Sequence, residues 1–130
     1  MDKLHITPNG ALLGGTATFQ LGPHPTSARA AREFVARTLQ DWGWTDQVAT
    51  AILLTSELVT NAVIHAQSDI EVTVRGERSL CVQVSDDSSE QLSPVRLGSG
   101  RGLRLVDTLA ASWGVNPEGR GKSVWFELAR

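Results

Sequence analysis

Two runs of period-two alternation, IEVTVRGE (70–77) and SLCVQVSD (79–86), follow each other with only a tight connection around Gly76 to Ser79 and no helix between them. Alternation of this kind marks half-buried strands. Elsewhere the apolar period is helical. Ala28, Ala31, Phe34, Val35, Thr38 and Leu39 predict a helix over 26–41, with Thr26 or Ser27 as N-cap and Gly43 as the stop. Thr45 is a good N-cap for a second helix over 46–66, with Val48, Ile52, Val59 and Val63 on a broad apolar face. TATFQL (16–21) reads as an edge strand. A third helix carries Leu103, Val106, Leu109 and Ala110 as its stripe, and SWGV and KSVWFEL close the chain as strands separated by the turn NPEGRG. The order is β-α-α-β-β-α-β-β. Because helices and strands do not alternate regularly, an all-parallel doubly wound sheet is disfavoured. The expected fold is α/β: a two-layer sandwich in which a mixed, mainly antiparallel sheet carries its helices on one face. Trp113 and Trp125, beside or within the closing strands, should be at least partly buried.

Residues 1–15, with Pro8, Asn9, Gly10 and the pair Gly14-Gly15, read as a lead-in, and 16–130 as one domain of ordinary size. A net charge of -2 with no run of Lys and Arg lacks the footprint of a nucleic-acid binder. The N-terminus MDKLHITPNG has no apolar signal core, and no apolar run comes near the ~20 residues a bilayer requires. The lone Cys81 excludes an internal disulfide and its strand setting suggests a small buried hydrophobe. The expectation is a soluble cytoplasmic domain without a membrane or nucleic-acid partner.

Four features could carry chemistry. In LTSELVTNAVIHA (54–66), Glu57, Asn61 and His65 interrupt an apolar helix at four-residue spacing. Each step advances about 40° around the helix, so the three form one slanted stripe. Asn61 suits an uncharged oxygen ligand to Mg²⁺, and Glu57 suits proton removal from a nucleophile; a merely solvated helix face has the same pattern. VQVSDDSSE delivers Asp86 to the end of a strand, where a carboxylate can accept from an exocyclic amino group, or simply start a turn. GSGRGLRLVD sets Gly98, Gly100 and Gly102 at the opening of a helix, where backbone N–H groups can approach an anion; a glycine-rich linker reads the same way. No strand immediately precedes these glycines, which disfavours a Rossmann motif, and GKS at 121–123 opens a strand, which excludes a Walker A loop. Finally, GRGKSVWFEL places Ser123 near the start of the last strand, within reach of the Asp86 pocket if the strands are neighbours; an ordinary hairpin is the alternative.

Taken together, the helix ExxxNAxxH, the strand-end Asp, the GxG before a helix and the terminal GKSVWFEL resemble the Bergerat-type ATP-binding fold of histidine kinases, gyrase B, MutL and the heat-shock chaperone ATPases. SELVTNAVIHA and GRGLRLVDTLAASWGV are most similar to the small anti-sigma-factor serine/threonine kinases of the actinobacterial type, over about residues 16–129. The resemblance implies Glu57 as general base, Asn61 as Mg²⁺ ligand and Asp86 as the adenine-recognising carboxylate. It further implies Gly100 and Gly102 beside the phosphates and Ser123 as the hydroxyl supporting adenine recognition, with His65, Ser88, Arg101 and Leu103 completing the ATP-binding set. DDSSE departs from the family's Asp-x-Gly-x-Gly, with Ser88 and Ser89 at the flexible-glycine positions, and 90–99 is short for an ATP lid.

The implied activity is an ATP- and Mg²⁺-dependent protein serine kinase that phosphorylates and binds an anti-anti-sigma factor, and as a homodimer holds a sigma factor. A non-catalytic nucleotide-binding interaction module is the competing class, and a scaffold that binds no nucleotide is the third.

Overall fold

The computed structural model describes residues 15–87, 101–119 and 121–129, so the lead-in over 1–14, Ser88 and Gly100 lie outside the described residues. The elements are β1 (Gly15–Leu21), α1 (Ser27–Asp41), α2 (Val48–His65), β2 (Ile70–Gly76), β3 (Ser79–Asp86), α3 (Arg101–Leu109), β4 (Ser112–Glu118) and β5 (Gly121–Ala129). The five strands form one sheet in the order β1-β2-β3-β5-β4. All four pairings are antiparallel. Among the described residues the sheet is therefore not mixed: no two neighbouring strands run the same way.

Successive residues of a strand face opposite sides, so the registers sort the sheet into cross-strand rows. On the face that carries the helices, one row is Phe19, Val72, Val84, Val124 and Val115, and the next is Ala17, Val74, Val82, Phe126 and Trp113. The opposite face is polar, with rows such as Thr16, Arg75, Cys81, Glu127 and Ser112. Its side chains bond across the strands, as in Thr18 to Thr73, Gln20 donating to Glu71, and Ser79 and Ser112 donating to Glu127. One polar face and one apolar, packed face is what antiparallel pairing permits, and on the polar one Thr73 and Ser123 are themselves buried. Cys81 belongs to the polar face and is half-buried, not a core hydrophobe, because Leu80, Val82 and Val84 take the inward parity. Burial, opposed by Arg75 and reinforced by Glu127, pushes its thiol pKa up.

Helix α1 ends as its sequence foretells. Gly43, at φ +73, lets its own N–H reach Gln40 O and the Trp44 N–H reach Leu39 O, the paired bonds of a Schellman stop. That turn tucks Trp42 and Trp44 into the core, where their rings sit against Gly76; a Cβ there would come within 3.0 Å of Trp42. The start of α1 differs from expectation: Thr26 makes no side-chain cap, and the hydroxyl of Ser27 donates instead to Gly22 O. Helix α2 starts at Val48 and not after Thr45, because Asp46 and Gln47 form a turn with Gln47 at φ +65.

Helix α2 packs against α1, α3 and β3 together, which explains why it is apolar around most of its circumference. Ala51, Leu54, Leu58, Val59 and Ala62 join the core, while Leu53 and Ile64 stay exposed. By length and composition alone α2 is apolar enough to cross a bilayer, but here that apolarity serves the core through Ala51, Leu54, Leu58, Val59 and Ala62. In α3, Leu103 and Val106 are buried but Leu109 is exposed, so the stripe turns toward Leu105 and Ala110. Strand β4 runs on through Asn116, Pro117 and Glu118, which the sequence assigns to a turn. Pro117 is tolerated because β4 is an edge strand with one side free of ladder bonds. Trp113 and Trp125 are both half-buried; Trp113 Nε1 donates to Asp107 (2.9 Å), and Trp125 lies over Gly114.

One glycine ties the fold to the end of β3. A Cβ on Gly121 would fall 1.7 Å from the Asp86 carbonyl oxygen, a backbone atom that cannot swing aside. Gly121→Ala is therefore expected to lower unfolding stability by about 2–3 kcal/mol or more, at the upper end of overpacking effects. A urea midpoint equal to that of the parent chain would show that the two strands do not approach so closely.

Candidate functional site

The third inward row of the sheet is unlike the others. It reads Leu21, Ile70, Asp86, Lys122, Pro117, and sets a carboxylate beside an ammonium on a face otherwise made of hydrocarbon. Lys122 Nζ lies 3.0 Å from Asp86 Oδ1 and 2.9 Å from Oδ2. Asp86 and Lys122 are only 7% and 6% exposed, so both charges are largely withdrawn from water and depend on each other.

Helix α2 closes this end of the sheet. Leu58, Asn61 and Ala62 from α2 meet Val84 and Asp86 from β3 and Lys122 and Val124 from β5 around a cavity of about 10 Å³. That is room for roughly one water. The Nδ2 atom of Asn61 is buried and finds no hydrogen-bond partner among the described residues. Leaving a buried amide donor unpaired costs about 1–3 kcal/mol, so this side chain is poised for something the protein itself does not provide. Which end of the amide faces the cavity is interchangeable by a flip, and Asn61 therefore suits either a donor or an oxygen-ligand role.

The slanted stripe resolves into three environments, as a 40° drift per four residues requires. Asn61 points its amide into the cavity. Glu57, one turn earlier, is half-buried and makes no hydrogen bond or ion pair among the described residues, so its carboxylate is available as a proton acceptor. His65, in the last turn, is exposed and does not line the cavity.

The structure thus brings Asn61 and Asp86 to one place. It does not bring Ser123 there. Ser123 pairs with Ser85 and Asn116 in the outward row, on the far side of the sheet, because its neighbour Lys122 takes the inward parity. The residue that β5 sends to Asp86 is Lys122, which sequence reading passed over by treating GKS as a turn with a hydroxyl. The missed signal was parity: in KSVWFEL, Lys122 shares a face with the core residues Val124, Phe126 and Leu128. Leu103, assigned to ATP, is a core side chain at 5% exposure, so what it can offer a ligand is its backbone. Arg101 and Gly102 open α3, whose first-turn N–H groups have no partners within the helix.

The sequence profile of the histidine kinase-like ATPase domain family matches residues 21–128. The chain belongs to this family. No curated protein matches it. Among solved structures, the crystal structure of the RsbU and RsbW domains of Rv1364c from Mycobacterium tuberculosis is similar, with a TM-score of 0.68 over 88% of this chain at 20% identity. The present chain spans 32% of that one, and at this identity the likeness is one of fold.

The residues at the cavity fit the family's ligand unequally. Asn61, with its unpaired amide, fits a Mg²⁺ ion that takes most of its ligands from phosphate and water. Asp86 is an acceptor of the kind an amino group requires, and the cavity that the described residues leave beside it is water-sized. The pair itself can be tested without any ligand. Asp86→Ala leaves a buried ammonium without its carboxylate and should cost about 3–5 kcal/mol, whereas Asp86→Ala with Lys122→Met removes both charges and should recover much of it. A loss below about 1 kcal/mol in the single variant, read by chemical denaturation, would mean that water reaches the pair.

Proposed function

We propose that this member of the histidine kinase-like ATPase domain family is an ATP-binding regulatory protein that acts in the cytoplasm as an anti-sigma-factor-type serine/threonine kinase. The observation that carries the reading is the unpartnered Asn61 amide facing the same cavity as the Asp86 carboxylate, on the element order typical of the family's fold. When bound, ATP supplies a transferable phosphoryl group and Mg²⁺ offsets its negative charge. Asn61 would hold the Mg²⁺, Asp86 would accept from the adenine amino group, and the N–H groups opening α3 would face phosphate. Glu57 would accept the proton of a serine hydroxyl on an anti-anti-sigma partner. Its lack of a competing partner among the described residues suits it to that task. The sigma factor and the homodimer belong to the same reading.

A second reading is a nucleotide-binding interaction module without catalysis. It draws on Ser88 and Ser89, which stand where the family carries flexible glycines, and on the short 90–99 segment.

Two substitutions separate the readings. Asn61→Ala should weaken binding of Mg-ATP more than binding of ATP in EDTA, as read by calorimetry. Glu57→Ala should leave Mg-ATP binding near that of the parent chain while slowing phosphorylation of the partner's serine by about 10²–10⁴. If the parent chain, given radiolabelled Mg-ATP and its partner, transfers no phosphate while still binding nucleotide, the module reading replaces the kinase.

A further inference from the structure

We propose that Lys122 is an internal competitor for the base-binding carboxylate: it must leave Asp86 before a purine can enter, and so sets the nucleotide affinity of this chain. The inference rests on the nucleotide reading above and goes beyond it by assigning a role to a residue that the resemblance leaves unmentioned.

Three observations carry it. Lys122 Nζ bonds to both oxygens of Asp86, at 3.0 and 2.9 Å, so the ammonium lies across the front of the carboxylate. The cavity shared by Lys122, Asp86 and Asn61 holds about 10 Å³, and Lys122 is one of the seven described residues that line it. Of those seven, the four aliphatic ones, Leu58, Ala62, Val84 and Val124, belong to the buried core. Lys122 alone combines length, four rotatable bonds and a head group that water will accept. It also sits opposite Pro117 on the edge strand β4, one residue from the strand's start at Gly121, so a short path leads its ammonium to solvent.

The exchange has a definite chemistry. The ammonium–carboxylate bond, charge-assisted at both ends, gives way to a bond from a neutral exocyclic amino group, which is weaker. The base alone therefore opens the site poorly, and contacts to the phosphates and to Asn61 must offset the difference. In population terms, the measured dissociation constant is the intrinsic one divided by the fraction of molecules with Lys122 displaced. With that fraction near 1–10%, removing the ammonium should tighten binding about ten- to a hundredfold.

The test is calorimetric titration of the full chain with Mg-ATP and, separately, with adenosine, which lacks phosphates and reports on the base site alone. Lys122→Met keeps the length of the side chain and removes its charge. The expected result is a gain of about ten- to a hundredfold for both ligands, with circular dichroism confirming the fold. Should K122M fail to fold because the Lys122 ammonium is lost from beside Asp86, K122Q retains an N–H donor to the carboxylate and should show a smaller gain in the same direction. If the parent chain binds Mg-ATP and the folded variant binds it equally or more weakly, the competitor role is overturned and the nucleotide site stands. If neither parent nor variant binds either ligand, the nucleotide reading itself falls, and the role of Lys122 falls with it.

Discussion

The register between β3 and β5 is the constraint on which the site depends. Asp86 stands opposite Lys122, and Ser85 opposite Ser123, because two antiparallel strands align that way. A slip of one residue would turn Lys122 and Asp86 to the polar face of the sheet and bring the serines inward, since strand side chains alternate strictly. What holds the register is the hydrocarbon behind it: Val82 against Phe126 and Val84 against Val124, all inward and buried. The pair is thus placed by core packing, and its own attraction need not do the placing. That matters energetically, because removing two charges from water costs several kcal/mol per ion, and their attraction does no more than repay it. A buried ion pair at a sheet end is weak as a stabiliser and expensive to break on one side only.

Most of the architecture was legible because it follows from local periodicity. The alternation in SLCVQVSD and the helical spacing from Ala28 to Leu39 each specify an element, and Gly43 specifies a stop that the Schellman bonds bear out. What local pattern could not show was anything decided across the sheet. Pro117 reads as a turn residue in isolation, and only the edge position of β4 makes it acceptable in a strand. Thr45 reads as a cap, yet the anchoring of Trp44 in the core carries the chain through a turn at Asp46 and Gln47 before α2 begins.

The site divides in the same way. Asn61 and Asp86, singled out from motif and position, line one cavity. Ser123 lies one residue from the position that faces Asp86, the smallest possible offset along a strand and the largest possible one across it. A hydroxyl in GKS drew attention where the long cation beside it had the inward parity. Apolar neighbours at alternate positions, Val124, Phe126 and Leu128, held that information, but a lysine in phase with a core is easily read as a strand end reaching for solvent.

The cavity is left with two unlike chemical demands. Asp86 has its charge answered by Lys122, while the Asn61 amide, on the same cavity, has nothing among the described residues. A ligand that served only Asn61 would need no rearrangement but would gain a single hydrogen bond, worth about 1 kcal/mol net. A ligand that served only Asp86 would have to replace an ammonium with something weaker. The arrangement therefore favours a molecule that reaches both at once and brings further contacts of its own, large enough to hold an amino group at one end and a charged or metal-binding group at the other. A nucleotide has that form. Adenine carries the donor and the phosphates carry the charge, so the parts of the ligand remote from Asp86 are what make displacement of Lys122 favourable.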